Sequence, residues 1–162
     1  MSCPAIVYCC AEVKDVPRIE RFMQATRKES PFLDRRLPVS PKDFVLAPYC
    51  VLAIGDDEVV GIGSLYPGEL VQTEHTAILG VCVRRFAWGR GIGKSLVEEC
   101  IHNAPSVVQL FYAHVYSPNT RARKLMSACR FVLEATLKDR IMVAPYVCVD
   151  LLVYTRERHR HD

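Results

Sequence analysis

The feature that most constrains this chain is a junction in its middle. An apolar, β-rich run, Ala77 to Val83, feeds through Arg84-Arg85-Phe86-Ala87 into Trp88-Gly89-Arg90-Gly91-Ile92-Gly93-Lys94-Ser95. Beyond Gly91 the periodicity turns helical: Ile92, Leu96, Cys100 and Ile101 form an apolar stripe, and Lys94, Glu98, Glu99 and His102 lie off it. A strand therefore passes into a helix over three closely spaced glycines. Glycine tolerates positive φ and lets the backbone approach a ligand. The helix start offers N–H groups with no partner in the helix and the positive end of its dipole. With arginines on either side, this predicts an anion site, for which pyrophosphate is a natural occupant. The plain alternative is a glycine-rich loop that merely caps a helix.

Counting excludes two nucleotide motifs. A P-loop before Gly93-Lys94-Ser95 needs its first glycine at position 88, which is Trp88. A dinucleotide fingerprint starting at Gly89 and Gly91 needs a third glycine at position 94, which is Lys94. The rest of the chain punctuates itself into short elements. Ala5 to Val13 reads as a strand, and Asp15 can cap a helix with Pro17 in its first turn and Ile19, Phe22 and Met23 on one side. Ser40-Pro41-Lys42-Asp43 looks like the start of a second short helix. Cys50 to Ile54 and Val59 to Tyr66 are strands joined by the turn Gly55-Asp56-Asp57-Glu58. Val107 to Tyr116 is a strand, Asn119 to Ala128 a helix with Ala122, Leu125 and Met126 inward, and Phe131 to Leu137 and Tyr146 to Tyr154 two final strands. This order predicts an α/β (α+β) fold of helices on a mixed sheet.

With 162 residues, half of them apolar, the chain is expected to be a single domain with a sizeable core. There is no apolar run of about 18 residues, so no membrane partner is expected. The first residues do not resemble a secretory signal, and a cytoplasmic location is predicted. The formal charge of +3 is modest. Arg84, Arg85, Arg90 and Lys94 cluster at the turn, and Arg121, Arg123 and Lys124 form a second group. These clusters suit a small polyanion better than nucleic acid, which is not an expected partner. Residues 155–162, with Arg156, Arg158 and Arg160, read as a flexible, solvated tail whose His159 and His161 are weak metal ligands at best. No metal site is expected. The eight cysteines include no Cys-x-x-Cys pair and mostly sit in apolar runs, so buried reduced thiols are expected.

The stretch Trp88-Gly89-Arg90-Gly91-Ile92-Gly93 resembles the coenzyme motif of the GNAT acetyltransferase superfamily, Gln/Arg-x-x-Gly-x-Gly/Ala, which follows the fourth strand. Trp88 departs from the first position. The Trp-Gly-x-Gly form looks like the branch that acetylates ribosomal-protein N-termini and small amines. Asn119-Thr120-Arg121-Ala122-Arg123-Lys124-Leu125 resembles the family's Asn-x-Arg-Ala-x-x-Leu segment. The resemblance implies a GNAT fold: a mixed, mostly antiparallel sheet splayed between strands four and five, with helices on both faces. It implies acetyl-CoA as cosubstrate. The coenzyme's arm would run along Val81, Cys82 and Val83, and its pyrophosphate would meet the main chain of Trp88, Gly89, Arg90, Gly91, Ile92, Gly93 and Lys94. Asn119 would contact the pantetheine arm or an ordered water, and Arg84, Arg85 or Arg90 would neutralise phosphate charge. The acceptor would be the primary amine of a small molecule or a protein N-terminus, attacking the thioester directly. The resemblance also allows a homodimer. Phe32, Asp34, Arg35, Arg36, Tyr66 and Glu69 are candidate lining residues on the acceptor side.

The pattern breaks where the chemistry is expected. Met126 stands at the position of the family's tyrosine, often the acid for the departing thiolate, and Arg130 at that of its glycine. Methionine has no proton to donate. A carboxylate common on the fourth strand falls at Ala77. Glu74 and His75, just before it, are the candidate bases. His75 would share a face with Ala77 on a continuous strand. His114, Tyr112 and Tyr116 alternate along the fifth strand, and Tyr116 is the stand-in acid. Each also has a structural reading as a solvated or hydrogen-bonded residue. The rival to an enzyme is a CoA-responsive binding or regulatory module.

Overall fold

The computed structural model describes residues 5–30, 32 and 49–158. Its elements in chain order are β1 (Val7–Cys10), α1 (Val16–Glu29), β2 (Tyr49–Gly55), β3 (Glu58–Pro67), β4 (Thr76–Val83), α2 (Ile92–His102), β5 (Leu110–Tyr116), α3 (Thr120–Ala128), β6 (Val132–Ala144) and β7 (Val147–Glu157). One-turn 3-10 segments lie at Val13–Asp15, Val71–Thr73 and Arg85–Ala87. The strands form one seven-stranded sheet in the order β1-β2-β3-β4-β5-β7-β6. β1–β2, β2–β3, β5–β7 and β6–β7 pair antiparallel. β4 and β5 pair in parallel through Thr76, Ala77 and Ile78. The expected start of a second short helix, Ser40-Pro41-Lys42-Asp43, falls outside the described residues, as do His159 and His161. Among the described residues no helix is long and apolar enough to cross a membrane.

The chain packs as two compact units, Met1–Tyr66 with Gly80–Ala104 and Pro67–Leu79 with Pro105–Asp162, so β4 gives one half to each. In the first unit, β2 and β3 are joined by Asp56 and Asp57, both at positive φ (50° and 61°). That is the backbone of a two-residue turn whose twist suits a hairpin, and aspartate tolerates it better than most side chains. Ile19, Phe22 and Met23 of α1 bury against Cys50, Leu52, Val59 and Ile62. Gly61 and Gly63, which alternate with Ile62, face α2 instead. A methyl group on Gly61 would lie 2.8 Å from Leu96 Cδ1, and one on Gly63 2.6 Å from Cys100 Sγ and 3.3 Å from the Leu96 carbonyl oxygen. Since successive strand residues point to opposite faces, α1 and α2 cover opposite sides of the same two strands. The missing side chains let α2 settle directly on the sheet, with Leu96, Val97 and Cys100 fully buried. Asp15 stands at the N-cap of α1, but its carboxylate accepts the Glu12 N–H at 3.0 Å and caps the preceding turn.

The second unit buries Phe111, Ala113 and Val115 of β5, Leu152 and Tyr154 of β7, and Met126, Cys129 and Phe131 at the end of α3. Leu125 and Ala122 are only partly covered, so the inward side of α3 is narrower than its pattern implies. α3 ends with Phe131 N–H donating to the Met126 carbonyl at 3.0 Å and Arg130 N–H to the Ser127 carbonyl at 3.2 Å. This is a Schellman ending, and it needs a left-handed residue, here Arg130 at φ 62°. The family's glycine at this position thus has a structural reason, and the arginine bears strain.

Residues 155–158, read from the sequence as the start of a tail, make defined contacts. Thr155 and Glu157 pair with Tyr112 and Leu110 in the β5–β7 ladder. Arg156 is 2 % exposed and donates from Nη1 to the Cys129 carbonyl at 3.0 Å. Arg158 donates its main-chain N–H to the Gln109 carbonyl at 2.8 Å. An arginine carries a long apolar stem and donors that suit carbonyls, so polarity in sequence misjudges it as solvated.

Two stability changes follow. Gly63→Ala should lower the urea midpoint by the equivalent of about 1–3 kcal/mol, with partial recovery when Cys100→Ala removes the nearer obstacle. An unchanged midpoint would mean that α2 is not held this close. Arg130→Gly should raise stability by about 1 kcal/mol by relieving the left-handed strain, and a loss of stability would contradict that account.

Candidate coenzyme turn and acceptor-side residues

The turn is built from three local features of the first unit. β4 ends at Val83, and Arg84 N–H still donates to the Val60 carbonyl of β3 at 2.9 Å. The chain then tightens into Arg85–Ala87, with Ala87 buried. Trp88 folds back, its indole N–H donating to the Val83 carbonyl at 2.7 Å. Trp88 therefore staples the turn to the strand that feeds it. This gives the substituted motif position a purpose that needs no contact with a ligand.

Gly89 and Gly91 follow at φ 79° and 78°. Nothing lies within 4 Å of a methyl group built on either, so their backbone angle, not crowding, demands glycine. Gly91 is the N-cap of α2, and Ser95 N–H is the one that returns to its carbonyl, at 3.1 Å. The N–H groups of Ile92, Gly93 and Lys94 thus belong to the first turn, where a helix supplies no acceptors. Ile92 is 2 % exposed and anchors that end in the core. Gly89, Gly91 and Lys94 are exposed, whereas Trp88, Arg90 and Gly93 are partly covered. An open, anchored, positively polarised helix end with no side-chain cap fits a pyrophosphate.

Val81, Cys82 and Val83 are each partly buried on β4. Cys82 packs against the α1 cluster around Phe22. Burial pushes its thiol up to about 11, partly offset by a hydrogen bond with Thr26. A raised pKa favours the protonated thiol near neutrality, the less nucleophilic form. Burial likewise pushes Cys50 and Cys100 up to about 12. None of the described cysteines forms a disulfide.

The basic cluster divides its duties. Arg84 is committed to the carboxylate of Glu29 at 2.9 Å and lies over the Phe86 ring at 5.2 Å. Arg85 lies over the Trp88 ring at 5.8 Å. Glu29 is a residue that spacing could not nominate, since it meets the turn from 55 positions away.

In the second unit, Glu74 closes the Val71–Thr73 turn and His75 precedes β4, and both are exposed. His75 lies one residue before the paired part of β4 and is open to solvent, whereas Ala77 is 1 % exposed. The paired residues begin at Thr76, and the His75 carbonyl receives the N–H groups of Gln109 and Leu110 at 2.8 and 3.1 Å. Tyr116 ends β5 beside Leu151 of β7, and its carbonyl accepts the Asn119 N–H at 2.8 Å, which brings these two together. Asn119 caps α3, its Oδ1 accepting the Ala122 N–H at 3.1 Å. His114 is exposed on the side of β5 opposite Phe111, Ala113 and Val115, with Tyr112 and Tyr116. Met126 is buried at 4 % exposure. Of the lining candidates, Tyr66 is partly open and its hydroxyl is 3.4 Å from Ser64 Oγ, next to Gly80. Asp34, Arg35 and Arg36 lie outside the described residues.

The family model for the acetyltransferase (GNAT) family matches residues 18–131. A comparison with curated proteins finds no match. Among solved structures, a GNAT-family acetyltransferase from Streptococcus pneumoniae is similar with a TM-score of 0.87 at 18% identity, over 95% of this chain and 100% of that one. A ribosomal-protein-alanine N-acetyltransferase from Brucella melitensis gives a TM-score of 0.80 at 21% identity, over 94% and 99%. The protein yncA from Salmonella typhimurium, solved with its cofactor acetyl-CoA, gives 0.82 at 16% identity, over 98% and 96%. At such identities the likeness is one of fold, and it is to the mixed sheet and helices described above. With the family model spanning more than half of the chain on this fold, the protein belongs to the acetyltransferase (GNAT) family and is an acyltransferase of that type.

Proposed function

We propose that this chain transfers an acetyl group from acetyl-CoA to a primary amine, on a small molecule or a protein N-terminus, by direct attack. The observation that carries the reading is the pair of left-handed glycines leading into α2, with nothing within 4 Å of a methyl group built on either. The N–H groups from Gly89 to Lys94 hold the pyrophosphate, and Arg85, Arg90 and Lys94 supply positive charge. Asn119 spends Oδ1 on its helix cap, so its Nδ2 is the atom offered to the pantetheine arm. The acetyl-CoA-bound relative supports the choice of cosubstrate. The Brucella relative's name supports a protein N-terminus as one acceptor.

Acetyl-CoA brings an activated thioester, and the protein's part is to orient it and manage protons. The acceptor must be neutral to attack, which calls for a base. Glu74 and His75 are the proposed bases, exposed and able to exchange protons with water. Main-chain N–H groups along Val81–Val83 polarise the thioester carbonyl. Tyr116 stands in for the acid absent at Met126. A thiol that leaves with a pKa of about 8.5 gains little from a strong acid, so a weak one suffices. A second reading, a CoA-responsive regulatory module, is favoured by one observation: Ala77 and Met126 are buried apolar groups where the family pattern implies a carboxylate and a tyrosine.

Calorimetry with acetyl-CoA tests the cradle. Gly91→Asp should weaken binding at least about tenfold, because it combines a strained left-handed residue with a carboxylate beside the phosphates. Gly91→Ala should lose less, since it adds the strain alone. Equal affinity in all three proteins refutes the assignment. Acetyl-CoA binding without CoA release across a broad amine panel selects the regulatory reading. Direct attack has its own check by intact mass. Incubated with acetyl-CoA alone, the protein should show no acetyl group on Cys82, whose thiolate fraction at pH 8 is on the order of 0.1%; a Cys82 thioester would require a covalent route.

A further inference from the structure

Glu29 is the last residue of α1, and its carboxylate reaches the chain between β4 and the glycine turn. Oε1 accepts from Arg84 Nε at 2.9 Å and lies 2.9 Å from Arg84 Nη2. Oε2 accepts the main-chain N–H of Arg85 at 2.8 Å. One carboxylate thus engages a guanidinium edge and a peptide N–H together. The two side chains are only 22% and 26% exposed, so neither charge is well screened by water.

The grip falls where the turn needs it. Arg84 is already tied to β3 through Val60, and Ala87 N–H returns to the Arg84 carbonyl at 3.0 Å. Trp88 is held to Val83 by its indole. Glu29 completes a set of restraints that ends immediately before Gly89. The glycines have no side chains of their own with which to hold a shape, and an unrestrained glycine turn visits many. Its donors converge only if the flanks are fixed, and any ordering left until the ligand arrives is subtracted from affinity.

We propose that Glu29 is a positioning residue for the coenzyme turn, acting through Arg84 and the Arg85 peptide to preorganise the N–H groups of Gly89–Lys94. This rests on the coenzyme reading given above. Arg84 balances Glu29 and is not a phosphate ligand. Neutralisation of the ligand falls to Arg85, Arg90 and Lys94.

The test compares two ligands on the full chain at a temperature where every variant is folded. Acetyl-CoA carries the pyrophosphate, whereas S-acetylpantetheine keeps the thioester arm and lacks it. Glu29→Gln should weaken acetyl-CoA binding about tenfold and leave S-acetylpantetheine binding unchanged. Arg84→Met should do the same, and the double variant should be no worse than either single within about twofold, because both remove one interaction. Wild-type affinity for acetyl-CoA in Glu29→Gln overturns the proposal, as does a parallel loss for both ligands, the mark of a merely structural role. Gly91→Asp runs alongside: if it abolishes acetyl-CoA binding while Glu29→Gln does not affect it, the coenzyme reading stands and the role of Glu29 falls. If wild type itself does not bind acetyl-CoA, the coenzyme reading falls and takes this proposal with it.

Discussion

The close seat of α2 on β3 is the constraint from which the turn's geometry follows. Gly61 and Gly63 remove the side chains that would hold the helix off, and Leu96 and Cys100 occupy the space. A helix held this near to a sheet cannot shift along or away from it without opening a void, and packed interiors resist voids. Its first turn is fixed as a result, with Ile92 buried and the dipole end directed outward beyond it. The two left-handed glycines then bridge a fixed strand end and a fixed helix start.

Electrostatics in this unit is arranged in pairs before any ligand is considered. Glu29 takes Arg84, Arg21 meets Glu58 at 3.0 Å, and Trp88 lies under Arg85. The exposed Arg21–Glu58 pair contributes little to stability. The shielded Glu29–Arg84 pair matters more because losing either partner strands a charge. The thiols lie at the other extreme: burial favours the protonated form of Cys50, Cys82 and Cys100, as small apolar groups.

The second unit shows how a family position can keep its structural task while losing its chemical one. Arg130 adopts the left-handed angle that glycine would adopt freely, and the helix ending survives. Met126 fills core space where a phenol would supply a proton. Ala77 seals a strand position where a carboxylate would sit. In the proposed reading, proton transfer falls to groups at strand ends: Glu74, His75 and Tyr116.

The sequence by itself determined the strand-to-helix junction, the hairpin at Asp56–Asp57 and the stripe of α2, because these are local. Backbone angle demands glycine, and a period of 3.6 or 2 shows which face is apolar. It also showed, by counting, that the turn is neither a P-loop nor a dinucleotide fingerprint. Only the tertiary structure decided that Arg84 serves Glu29, that Trp88 staples the turn, and that Arg156 is interior. Each of these turns on a partner far along the chain or on a carbonyl that no side-chain pattern marks. Polar side chains can satisfy themselves in water or in protein, and their sequence is the same in both cases; only packing chooses between them.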